Sequence, residues 1–133
     1  MPMSTPREIV SPDYEIVIQQ PLFSKARPRL TRTGHAYMPA PYKAAQAVMR
    51  KQIKQQWKQG PLEGPVSLCM YVSGEGRGDL DNIAGAFMDA AQGILFVDDR
   101  VSVIPELYIS WTKATKLKSE WIIHVYHLTG SLE

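Results

Sequence analysis

Residues 78–99 read GDLDNIAGAFMDAAQGILFVDD. Ile83, Phe87 and Ala91 recur every four residues, flanked by Ala84, Met88 and Leu95, which predicts an amphipathic helix over 80–95. Asp79 and Asp81 stand at its start, where a carboxylate can cap free N–H groups and meets the favourable end of the helix dipole. Gly93 falls near its end. Upstream, VSLCMYVSG at 66–74 reads as a strand running into the glycine-rich loop GEGRG, and VSVIPELYISWTK at 101–113 holds a further strand. A strand, a helix and a strand in this order form a crossover unit, and the fold is built around it.

Working outward, SEWIIHVYHL at 119–128 and YEIVIQQ at 14–20 have strand composition. Tyr42, Ala45, Met49, Ile53 and Trp57 recur at spacings of three and four, predicting a helix over 42–59 that Gly60-Pro61 ends. Between the first strand and that helix, 21–41 is rich in proline, glycine and arginine and reads as an arm with a hairpin around Thr33-Gly34. The expected fold is α/β (α+β): a small mixed sheet of about four strands, with two main helices on one face. One domain over 14–128 is expected, with short tails at 1–13 and 129–133.

Composition bounds the function. With 44% hydrophobic and 21% charged residues in 133, the chain is ordinary globular material for one domain. The single cysteine, Cys69, excludes an internal disulfide and reads as a buried free thiol. No apolar stretch approaches the roughly 20 residues of a membrane span. The first residues lack a charged-then-apolar leader pattern, and a cytoplasmic setting is expected. The net charge of +2 hides a segregation. Between Glu15 and Glu63 there is no acidic residue, while Lys25, Arg27, Arg29, Arg32, Lys43, Arg50, Lys51, Lys54 and Lys58 lie in that interval. The sign then reverses at Glu75, Asp79, Asp81, Asp89, Asp98 and Asp99, opposed only by Arg77. A polyanion held by the basic half and a metal held by the acidic knot are the functional reading of this pattern.

Two carboxylates about 4 Å apart repel by roughly 4 kcal/mol at an effective dielectric of about 20. A proton, a basic partner or a divalent cation must offset that. If the connection after the helix folds Asp98 and Asp99 back toward Asp79 and Asp81, three or four hard oxygen donors converge, a set suited to Mg²⁺ or Mn²⁺. Spacing alone leaves a second reading open, in which Asp79 or Asp81 merely caps the helix and Asp98-Asp99 makes a turn. His35, His124 and His127 are scattered and read as structural or surface residues.

The series D-L-D-N at 79–82, M-D-A at 88–90 and V-D-D at 97–99 resembles the RusA family of Holliday junction resolvases. K-A-R-P-R-L-T-R at 25–32 is similar to the family's basic arm, so the likeness runs from about residue 14 to 127. These are small bacterial endodeoxyribonucleases, frequent in phages, that serve DNA recombination and repair. The resemblance implies a homodimer that cleaves four-way junctions symmetrically with Mg²⁺ or Mn²⁺. Asp79, Asp81 and Asp99 are then the metal-binding catalytic carboxylates, Asp98 a further ligand or supporting group, and Asn82 a residue that orients a carboxylate or caps the helix. DNA-binding candidates are Lys25, Arg27, Arg29 and Arg32 of the arm, with Arg100, Lys113 and Lys116. Arginine forks match phosphate geometry, and Pro28 stiffens the arm they stand on. Phe23 and Tyr37 are open to base stacking, whereas Trp57 reads as core.

One departure matters. The family carries a lysine four residues after the second aspartate of D-x-D; here that position is Gly85. Either another cation fills its place, with Arg100, Arg77, Lys113 and Lys116 as candidates, or the protein binds branched DNA without cutting it efficiently.

Overall fold

The computed structural model describes residues 11–128. In chain order the elements are β1 (Tyr14–Ile18), β2 (Arg29–Leu30), β3 (Ala36–Tyr37), α1 (Ala40–Gln56), β4 (Val66–Gly74), α2 (Leu80–Ala91), β5 (Glu106–Lys113), a 3₁₀ turn (Lys116–Lys118) and β6 (Glu120–His127). Four strands form one sheet in the order β1-β6-β4-β5, with β4 and β5 parallel and the other pairs antiparallel. The expected mixed sheet with two helices is therefore observed. β2 and β3 make the expected hairpin, closed at Gly34, whose φ of 88° suits glycine.

Strand alternation decides which face is buried. Ile16, Ile18, Leu68, Met70, Val72, Trp121, Ile123 and Val125 share one core with Met49 and Ile53 of α1 and with Ile83 and Phe87 of α2. The opposite face carries an aromatic and polar row, in which Tyr71 lies 5.9 Å from Tyr108 and 5.4 Å from His124. Cys69 is buried and unpaired, as its apolar setting predicts. Among the described residues, no helix is long and apolar enough to cross a membrane.

Several boundaries differ from expectation for physical reasons. α1 starts at Ala40 and ends at Gln56 rather than spanning 42–59. Trp57 leaves the helix to bury its ring and donate Nε1–H to Gly60 O at 3.0 Å. α2 ends at Ala91, and Gly93 turns the chain at φ 84°. Asp13, counted with the first tail, is tied to β6: its N–H donates to Val125 O at 2.9 Å and its carboxylate accepts from His127 N–H at 2.7 Å. Residues 1–10 and 129–133 of the expected tails lie outside the described residues.

The two sheet edges are treated differently. On β1, Gln56 accepts from Val17 N–H at 2.9 Å and donates to Val17 O at 2.7 Å, while Gln52 accepts from Gln19 N–H at 2.9 Å. These α1 amides occupy groups that an edge strand would otherwise present. Among the described residues, no strand lies beside the outer edge of β5.

α2 runs back from the C-terminal end of β4 to its N-terminal end. Arg50 of α1 clamps its far terminus by donating to Ala90 O at 2.9 Å, a cation at the favourable end of the dipole. The following connection is pinned under β4 by Leu62 N–H to Leu95 O at 2.8 Å, Val97 N–H to Leu62 O at 2.9 Å and Val66 N–H to Val103 O at 2.9 Å. Asp98 and Asp99 lie in a loop, and the chain then turns at Arg100 to bury Val103 and Ile104 before β5 begins.

Gly64 seats that loop. Its φ is 82°, and an added Cβ would stand 2.6 Å from the backbone oxygen of Val103. Gly64→Ala is expected to destabilise the protein by about 2–4 kcal/mol, combining left-handed strain with overpacking against rigid backbone. Gly34→Ala has the same handedness but nothing within 4 Å, so it costs only about 1–2 kcal/mol. Urea unfolding of the two variants checks the difference.

Candidate active site

The loop after β4 delivers Asp79 and Asp81 to the C-terminal end of the parallel pair β4–β5. Open α/β sheets characteristically place ligand sites at that end. Asp79 is the N-cap residue by backbone geometry, yet its carboxylate makes no capping hydrogen bond. Asp81 lies in the first turn, and its Oδ1 accepts from the neighbouring Asn82 N–H at 2.9 Å. Both residues are exposed, and among the described residues no basic side chain pairs with either. Among the described residues, the helix N-terminus is what offsets their charge.

Two basic elements flank them. The arm packs directly on this end of α2: Lys25 N–H donates to Asn82 O at 2.8 Å, and a side chain at Gly78 would collide with Ser24 Oγ. The hairpin beyond presents exposed Arg27, Arg29 and Arg32. On another side, Arg77, Lys113 and Lys116 line an open cleft with Glu75. Lys113 ends β5 beside Gly74, and Ala114 N–H holds Gly74 O at 3.0 Å, which fixes this wall to the aspartate loop. Of the seven proposed DNA-binding residues, Lys25, Lys113 and Lys116 are thus tied to the Asp79–Asp81 end.

Asp98, Asp99 and Arg100 are not. Helix α2, twelve residues and about 18 Å long, runs from Asp79 at its N-cap toward the connection that holds the second pair, which is pinned at the opposite end of β4. The expected convergence of three or four carboxylates is not observed among the described residues. The reason is the rigid helix between them and the pinned connection after it. Among the described residues, no three of His, Cys, Asp and Glu gather in a metal-holding group. Asp98 is also committed elsewhere. Arg100 donates to its Oδ2 through Nη2 at 2.8 Å and Nε at 3.0 Å, and Arg100 N–H reaches Oδ1 at 3.1 Å. The Arg100 side-chain bond holds the Asp98 carboxyl below its ordinary value despite the opposing effect of desolvation. A guanidinium, rather than a shared ion, offsets Asp98, and Arg100 spends its fork there. Asp99 is exposed.

Sequence reasoning missed one residue's placement. The stem of Lys25 lies over Gly85, with an added Cβ 3.2 Å from Lys25 Cδ, and its ammonium reaches Asp89 Oδ1 at 3.4 Å. Only the arm motif hinted at this, because contact between residues 25 and 85 leaves no local signature. Asp89 also accepts the Tyr42 hydroxyl at 2.9 Å. Phe23 packs between Tyr42 and Trp121, at 5.8 and 5.6 Å, so it belongs to the core flank rather than to base stacking. Tyr37 is exposed on the hairpin. His124 pairs with Glu15 at 2.8 Å and His127 with Tyr14 at 3.1 Å, both structural contacts.

No curated protein matches the chain. Residues 20–120 match the family described as Endodeoxyribonuclease RusA. The match takes in the basic arm, both helices and both aspartate pairs, and covers most of the chain. With exposed carboxylates at a helix start and a basic arm docked beside them, the chain belongs to the RusA family of endodeoxyribonucleases, the RusA-like Holliday junction resolvases.

Proposed function

We propose that the protein is a homodimeric, divalent-metal-dependent endonuclease that resolves four-way DNA junctions by paired phosphodiester hydrolysis. The observation that carries this reading is the pair of exposed carboxylates Asp79 and Asp81, without a basic partner among the described residues, beside the docked basic arm. Mg²⁺ is commonly held by one or two carboxylates together with substrate phosphates, so an open pair suits it without a closed protein cage. Asp79 and Asp81 would hold Mg²⁺ or Mn²⁺. The bound ion would lower the pKa of a water and neutralise charge on the phosphoryl oxygens. Asp99 follows α2 at the end away from Asp79 and Asp81, so its part in the same centre requires a second copy of the chain. Two symmetric cuts in one junction require the same two-fold pairing.

The chain's own residues supply the binding. Arg27, Arg29 and Arg32 grip the sugar-phosphate backbone from the hairpin, and Lys113 and Lys116 do so from the cleft. Such contacts position a duplex arm without reading its bases. Asn82 supports the site through its backbone, which both steadies Asp81 and anchors the arm.

A second reading, a branched-DNA-binding protein without efficient cleavage, is favoured by Gly85, which leaves α2 with no cation one turn beyond Asp81. It predicts junction bands that shift yet stay intact in any metal, and cleavage that appears with Gly85→Lys. A panel of flaps and forks separates junction resolution from action on other branched DNA.

The expected result with a synthetic four-way junction is paired nicking in Mg²⁺ or Mn²⁺. Asp81→Asn lowers the rate by at least about 100-fold, the scale of losing one charge-stabilising group. It leaves binding intact in a gel-shift without metal. A wild-type protein that shifts the junction but never nicks it would establish the second reading. Arg29→Ala is expected to weaken binding to all junction sequences alike and to lower the slope of log affinity against log salt by about one.

A further inference from the structure

α2 carries the two aspartates but has no lysine or arginine between Leu80 and Ala91. A group one turn after Asp81 faces the same side of the helix, so a cation there would meet a phosphate lying on Asp79 and Asp81. The residue at that place is Gly85, and another element fills the space. Lys25 is attached to α2 at both of its ends. Its backbone N–H donates to Asn82 O at 2.8 Å, next to Asp81, and its ammonium lies 3.4 Å from Asp89 Oδ1, about two turns further on. Between these points its stem crosses the bare glycine, with Cδ 3.2 Å and Cβ 3.5 Å from where a side chain at 85 would begin.

We propose that Lys25 is a catalytic residue of this nuclease, its ammonium contacting the phosphoryl oxygens on which charge develops while DNA lies on Asp79 and Asp81. The assignment rests on the nuclease reading above. The helix lacks a cation of its own, and the arm lends it one through the track that Gly85 leaves open. Asp89 is the resting partner. α1 fixes it through the Tyr42 hydroxyl, which burial and then the Asp89 carboxylate push upward, so the hydroxyl stays protonated and donates. The Lys25–Asp89 pair is half-exposed and longer than a close charge-assisted bond of about 2.7–2.9 Å, so the ammonium leaves it readily. The pivot stays beside Asn82, and a flexible four-carbon stem can turn the ammonium toward Asp81 without moving the arm. Lys25 stabilises charge and transfers no proton.

The test is single-turnover nicking of a synthetic four-way junction at saturating protein with Mn²⁺, read beside the dissociation constant measured without metal. Lys25→Met is expected to slow the bound junction's cleavage by about 100-fold, as for loss of one oxyanion donor, while affinity falls less than about five-fold, as for one phosphate contact. Gly85→Leu, which keeps the lysine but fills its track, is expected to slow cleavage in the same way. Lys25→Met combined with Gly85→Lys, which moves the amine onto the helix itself, is expected to recover cleavage to within about ten-fold of wild type. Thermal melts confirm that each variant is folded. A Lys25→Met protein that cuts bound junction at the wild-type rate overturns the assignment even if binding weakens, because Lys25 is then only an anchor of the arm. Wild-type nicking that survives Asp81→Asn, or no wild-type nicking at all, brings down the nuclease reading itself and this assignment with it.

Discussion

A straight helix cannot fold back on itself, and α2, about 18 Å long, stands between Asp79 and Asp81 and the loop of Asp98 and Asp99. The rest of the molecule follows from that. The parallel pairing of β4 and β5 requires a crossover, and α2 is that crossover. Its apolar stripe of Ile83, Phe87 and Ala91 seals the core, so it can neither bend nor shift without opening a cavity. Asp79 and Asp81 are thereby committed to one end of the sheet and Asp98 and Asp99 to the other. Each pair is then stabilised in its own way. At the first, the helix terminus provides partial positive charge, and among the described residues the carboxylates have no basic partner. At the second, Arg100 neutralises Asp98 outright. Free acids beside a basic arm can recruit a cation and a phosphate, whereas a neutralised acid holds a loop in shape.

The elements were largely legible because their periods are clean. β4 occupies 66–74 as the apolar run VSLCMYVSG requires, and α2 begins where D-L-D-N places it. The hairpin at Gly34 followed from its turn residues. The ends of α1 were not legible, since Trp57 continues the helical spacing of Tyr42, Met49 and Ile53 yet is buried by leaving the helix. The site was legible only in composition. Carboxylates crowded into 22 residues read as one cluster along the chain, but a helix lies between them. Sequence spacing reports which faces coincide within an element; it does not report which ends of an element meet. The contact of Lys25 with Gly85 and Asp89 lies in the same blind spot, because it depends on how an irregular arm is laid across a helix sixty residues away.

α1 serves as the frame against which the rest is set. Its apolar stripe joins the core, Tyr42 fixes Asp89, Arg50 closes the last turn of α2, and Gln52 and Gln56 satisfy β1. Arg50 is thus occupied in structure rather than displayed to DNA. Lys51 and Lys54 of that helix, with Lys58 just beyond its end, line an exposed strip.

The amides that occupy β1 also set a limit on assembly. A sheet with one margin stoppered can grow only from the other. Two copies joined through their β5 margins, which no described strand covers, would have none left to offer, so such an association terminates at a pair and has no route to a filament.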